Sequence, residues 1–174
     1  GFPLVGNRRE AIVQKLRISP TPITGAELAE DFGVSRQAIV TDIAILRARG
    51  EDIIATPRGY NLQTTRKGRS LDAQLAVCHG ADKTRAELML LVEAGLRVVD
   101  VTVEHPLYGD LRGNLFLKDR EDVEEFVRRV EEEEICLLSE LTGGVHLHRV
   151  EFDSMSQLEK ARGALKREGF LAEE

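Results

Sequence analysis

Apolar residues recur at helical spacing over residues 8–16, where Ala11, Ile12, Val13 and Leu16 form one stripe and predict a first helix. Pro20 and Pro22 break the chain after it. Thr24-Gly25-Ala26-Glu27 has the order of a capping box, with Thr24 as N-cap and Glu27 reaching back. It opens a short second helix with Leu28, Ala29 and Phe32 inward, ended by Gly33 as C-cap. Ser35 caps a third helix over residues 36–49 that buries Ile39, Ile43 and Leu46 and closes at Gly50. Two β-type runs follow at 53–56 and 59–62, joined by Pro57-Arg58, and predict a hairpin. Helix, helix–turn–helix and hairpin make a winged helix, assigned to residues 7–63.

Residues 64–70 are polar and basic and read as a linker. From 71 to 174 strand and helix patterns alternate. Strands are predicted at 71–78, 98–103 and 112–117, and a loop at 104–109. Helices are predicted at 82–94, after the cap Asp119 (Val123, Phe126, Val127 and Val130 inward), and at 156–167 after the capping box Ser154/Gln157. The run 135–138 is a candidate strand, and another strand ends at Phe152. The fold class is therefore α+β, a winged helix–turn–helix followed by a small α/β sandwich-type domain with helices on one face of its sheet.

Charge separates the halves. Residues 1–70 hold 11 Lys/Arg against 7 Asp/Glu, net +4, whereas residues 71–174 hold 13 against 23, net -10. Only the first half suits a polyanion. Cys78 and Cys136 lack metal or redox spacing and read as free thiols of a reducing cytoplasm. No apolar run has membrane-spanning length, and no signal peptide pattern is present.

In a helix–turn–helix the start of the second helix enters the major groove of DNA. That start is Ser35, Arg36, Gln37, Ala38 and Thr41. Arg pairs with guanine edges and Gln with adenine edges. Ser35, Thr41 and the wing residues Thr56, Arg58 and Tyr60 are candidates for phosphate contacts, as are Arg47 and Arg49. Double-stranded DNA is the expected partner. A palindromic operator requires a homodimer with half-sites about 34 Å apart.

The second domain carries its own chemistry. Two of the chain's four histidines stand in Gly-Gly-Val-His-Leu-His-Arg-Val at 143–150. Residues i and i+2 of a strand share a face, so His146 and His148 aim at one point. His79 at a strand end and Glu87 in the following helix border the same corner. Three imidazoles and a carboxylate suit nickel, zinc, iron or cobalt, and not calcium or magnesium. Cys78 faces away from His79. His105 has two readings, a loop histidine bonded to backbone or a wall of a small-molecule pocket. In the second, Tyr108 and Arg112 join it to hold a flat aromatic acid.

These motifs resemble known families. Arg-Gln-Ala-Ile-Val-Thr-Asp-Ile-Ala-Ile-Leu at 36–46 is similar to the module that opens the bacterial biotin repressor. The second half resembles the three-histidine (3H) domain more specifically. The matching segments are Val-Cys-His at 77–79, Val-Asp-Val-Thr-Val-Glu-His-Pro-Leu-Tyr-Gly at 99–109 and Gly-Gly-Val-His-Leu-His at 143–148. The likeness runs over residues 8–172. It implies a nicotinate-responsive repressor of NAD biosynthesis and niacin uptake genes, acting as a homodimer with nicotinic acid as co-repressor. It also implies a nickel- or zinc-like ion at His79, Glu87, His146 and His148, with the second domain as sensor and dimer interface. Nicotinate reaching an open metal position through its carboxylate or ring nitrogen is one way to couple the two.

Two other functions fit the same residues. A metal sensor needs no organic effector. A metalloenzyme fused to a regulator is disfavoured, because the chain has no glycine-rich nucleotide loop. Of its spare carboxylates, Glu104 and Glu151, the latter alternates to the strand face opposite the histidines.

Overall fold

The computed structural model describes residues 5–63 and 71–172. Residues 1–4 and 173–174 lie outside it, as does the expected linker at 64–70. The chain divides into two compact units, 1–68 and 69–174.

In the first unit, α1 (Val5–Ile18), α2 (Gly25–Phe32) and α3 (Arg36–Ala48) precede a hairpin of β1 (Ile53–Thr56) and β2 (Gly59–Leu62). Thr24 Oγ1 accepts from Glu27 N at 3.0 Å, and Gly33 sits at φ 65° as C-cap. Ser35 Oγ accepts from Ala38 N at 3.1 Å. Ile12, Leu16, Leu28, Ile39, Ile43, Leu46 and Ile53 make one core, so the helical stripes read from sequence meet as expected. Ile23 adds a bridge to Tyr60, with backbone bonds of 2.9 and 2.7 Å in the two directions. Gly59 makes this approach feasible. At φ 128°, a β-carbon there would stand 2.6 Å from the Ile23 carbonyl.

The second unit runs β3 (Leu71–Cys78), α4 (Thr84–Glu93), β4 (Arg97–His105), β5 (Gly109–Leu117), α5 (Arg120–Glu132), β6 (Val145–Phe152) and α6 (Met155–Arg167). Its sheet has the order β3-β6-β4-β5, every neighbour antiparallel. β6 therefore lies between β3 and β4, which the α4 crossover connects. Leu75, Val77, Val98, Leu117, Val150 and Phe152 form one face and pack with Leu88, Leu91, Val123, Leu158, Ala161 and Leu165 of the helices.

Three local expectations are corrected. The candidate strand at 135–138 is instead an irregular segment leading into a 3₁₀ helix, Leu138–Thr142. Its donors have other partners, since Ile135 N bonds Val130 O at the end of α5 and Leu137 N bonds Glu140 Oε2. The loop at 104–109 contracts to a three-residue turn, because β4 continues to His105 and pairs it with Gly109. Finally, α4 begins at Thr84, with residues 81–83 forming a 3₁₀ turn before it.

Candidate metal centre and DNA-reading helix

Register places the histidines. His146 pairs with Val77 and His148 with Leu75, so both imidazoles stand on the core face of β6 beside Val150 and Phe152. His79 continues β3, its amide bonding Gly144 O at 3.3 Å. Gly144 is required there. It sits at φ 98°, and a β-carbon would fall 2.4 Å from His79 O. Glu87 enters from α4, one turn in, and is fully buried.

The four side chains converge. His79 Nε2 lies 3.2 Å from Glu87 Oε2, while His146 Nε2 and His148 Nε2 lie 3.1 and 2.9 Å from Oε1. The imidazole side chains are each 3 % exposed and the carboxylate 1 %. Each Nδ1 faces a backbone carbonyl: Gly80 O at 2.8 Å, Gly144 O at 2.8 Å and Asp100 O at 2.9 Å. A carbonyl only accepts, so all three Nδ1 atoms carry their protons and donate. In the neutral tautomer every Nε2 then turns a lone pair towards Glu87. Among the described residues, the buried His79 Nε2 and His148 Nε2 face no polar partner other than Glu87.

Such a centre demands positive charge. With protons as the cations, burial disfavours imidazolium at His79 and His148, yet the Glu87 hydrogen bond and charge outweigh it and raise both pKa values. Burial likewise pushes Glu87 up, but the His148 charge and the bonds from the three histidines hold it well below the usual carboxylate range. A divalent ion would supply the same charge to four ligand atoms. Among the described residues, His79, Glu87 and His146 bring their ligand atoms within 4.8 Å of one another, while His148 stands outside that set although its Nε2 is 2.9 Å from Glu87 Oε1.

A small cavity of about 40 Å³ adjoins this cluster. Glu87, His146 and His148 form one wall, and Leu88, Val101, Leu115, Phe126, Leu138 and Ser139 the others. The proposed aromatic-acid residues lie elsewhere. His105 Nδ1 accepts from Leu107 N at 3.1 Å and Tyr108 N at 3.3 Å, closing the β4–β5 turn, with the Tyr108 ring 5.0 Å away. Arg112 pairs with Thr102 and Leu111 with Val103, so Arg112 and His105 stand on opposite sheet faces. Arg112 points its Nε to Asp100 Oδ2 at 3.7 Å. The 3₁₀ helix that contributes Leu138 and Ser139 to this cavity carries no periodic sequence signal.

On α3, Arg36, Gln37 and Thr41 are exposed, as is the Ser35 cap, while Arg58 is half-buried in the wing turn. Thr56 fastens that turn, donating to Gly59 O at 2.8 Å and accepting from Arg58 N at 3.0 Å. Asp42, passed over in the sequence, is buried on the other side of α3. It accepts from Arg8 Nε at 2.6 Å and Nη2 at 3.2 Å, and from Arg9 Nε at 3.1 Å.

Fold and site thus define a class, a helix–turn–helix protein joined to a domain with a buried three-histidine cluster. The 3H domain model matches residues 72–174 and a helix–turn–helix model matches residues 8–61. The chain is 44% identical over 167 residues to a protein of Thermotoga maritima named probable transcription repressor NiaR, covering 96% of this chain and 94% of that one. It is 38% identical over 167 residues to the transcription repressor NadR of Bacillus subtilis, covering 95% and 93%. The chain belongs to the 3H-domain family. Like these relatives, it is a transcription regulator with a DNA-binding domain and not an enzyme.

Proposed function

We propose that this chain represses genes of NAD biosynthesis and niacin uptake, with nicotinic acid as co-repressor and a divalent transition metal bound by His79, Glu87, His146 and His148. Nickel and zinc fit three imidazoles and a carboxylate, and iron is a further candidate. The observation that carries the reading is the orientation of the imidazoles, each Nδ1–H bonded to a carbonyl and each Nε2 turned to Glu87. Backbone partners of this kind fix the tautomer of metal-ligating histidine. When bound, the metal would act as a Lewis acid for the effector's carboxylate or ring nitrogen.

The cavity beside the cluster is the better place for that effector than the His105 turn. Its apolar walls suit a flat ring, and it is lined by Thr84, whose buried Oγ1 has no hydrogen-bond partner among the described residues. Repression then follows from linkage. A ligand strengthens operator binding only by binding the DNA-competent state more tightly than the other. We take that state to be a homodimer on a palindromic operator, its half-sites about 34 Å apart.

Operator affinity, measured at fixed salt with and without nicotinic acid, tests this. Nicotinic acid should tighten binding severalfold, and His146→Ala should abolish the gain. Affinity indifferent to nicotinic acid but lost on chelation would make the chain a metal sensor instead, a reading that the same four ligands support.

A further inference from the structure

The outward face of α3 holds residues that solvation does not explain. Gln37, Val40, Thr41 and Ala44 follow the i, i+3, i+4, i+7 spacing of one helical stripe, and all four are exposed. Val40 is 38 % exposed. Two β-branched residues side by side on an open helix surface cost helix propensity without the return of packing. Thr41 Oγ1 donates to Gln37 O at 3.0 Å, so its hydroxyl proton is used within the helix. The centre of the stripe therefore offers one amide and several methyl groups, and no charge.

Charge stands at its ends. Arg36 opens the helix and Arg47 lies in its last turn. At 1.5 Å per residue they are separated by about 16 Å along the axis, enough to straddle a major groove about 12 Å wide. Arg36 is also turned away from the stripe. A β-carbon placed on Gly25 would be 3.6 Å from Arg36 Nε and 3.5 Å from Tyr60 Cε2. The arginine thus lies across the start of α2, beside the wing tyrosine that the Ile23 bridge holds in place.

We infer that α3 reads A·T base pairs, with Gln37 on an adenine edge, Val40 and Ala44 against thymine methyls, and Arg36 holding a backbone phosphate and reading no base. Gln pairs bidentately with adenine N6 and N7, and small apolar side chains contact the thymine C5 methyl. This division of labour rests on operator binding as proposed above and adds its sequence class.

Selection from a random duplex library by the full chain, with and without nicotinic acid, should enrich half-sites in which adenine and thymine adjoin. Replacing a contacted thymine by deoxyuridine removes only its methyl. That should weaken binding about fourfold per contacted methyl, and in Val40→Ala the effect should shrink at one thymine, the one that Val40 contacts. Gln37→Ala should lose about five- to 150-fold in discrimination at the adenine. Arg36→Ala should weaken all sequences alike and lower the slope of log affinity against log salt by about one. A half-site of G·C pairs, or a deoxyuridine effect unchanged in Val40→Ala, would overturn the inference. Failure to enrich any sequence would overturn the operator reading itself, and the inference with it.

Discussion

Glu87 is the residue on which the second domain's chemistry turns. Its carboxylate meets all three imidazoles, so Glu87→Gln keeps the shape and removes the main charge that raises His79 and His148. Metal affinity should then fall by more than the 10- to 100-fold typical of losing an outer partner, as titration with nickel or zinc would measure. The same shifts set a pH window for chelated protein. The raised histidines stabilise the fold below their ordinary pKa of 6.5, and that contribution is lost as pH rises through their higher folded values. Depressed Glu87 contributes above its ordinary 4.5, and its share is lost as pH falls through its lower folded value. Metal-free protein should therefore be most resistant to urea between these two ordinary values and weaken towards alkaline pH. Added metal should abolish the alkaline loss, because deprotonated imidazole is the ligand form. Loss of stability that begins only on the acid side would contradict it.

Among the elements, helix caps were legible because their signals are local, whereas β5 starts three residues before the expected 112, at Gly109. Ser154 and Gln157 do form a capping box, and the Thr24 and Ser35 caps stand where expected. What escaped depends on partners far along the chain. Asp42 on α3 ties down Arg8 and Arg9 on α1, a pairing across more than thirty residues. Breaking a buried pair strands its partners, so Asp42→Ala should cost about 3 kcal/mol in denaturant unfolding. Gly144 stands in the glycine pair just before β6. Its closeness to His79 makes Gly144→Ala a lesion of the proposed metal centre, with strain of about 1–3 kcal/mol and weaker metal binding expected. Undiminished metal affinity in that variant would show that the β3 end and the β6 start need not touch.

For the whole molecule, charge and linkage decide. The basic half and the acidic half predict that DNA affinity without effector is salt-dependent and sequence-tolerant. Chelation should remove the response to nicotinic acid while leaving that background binding intact, which gel-shift titration at several salt concentrations would reveal. Metal at 100 times its Kd should also stabilise the fold by about 2.7 kcal/mol, visible as a rise in Tm. No helix among the described residues is long and apolar enough to cross a membrane.

The sequence alone determined the two-part plan, the winged helix and the four metal-ligand candidates. Period-two and period-3.6 patterns, caps and charge balance are carried by neighbouring residues. His146 and His148 needed only the alternation of a strand to share a face. Tertiary structure decided that Glu87 meets all three imidazoles and that Arg36 turns towards the wing. It also decided that His105 closes a turn while a roofed cavity opens beside the histidines. Those outcomes depend on sheet order, register and backbone approach, which bring together residues far apart in the chain.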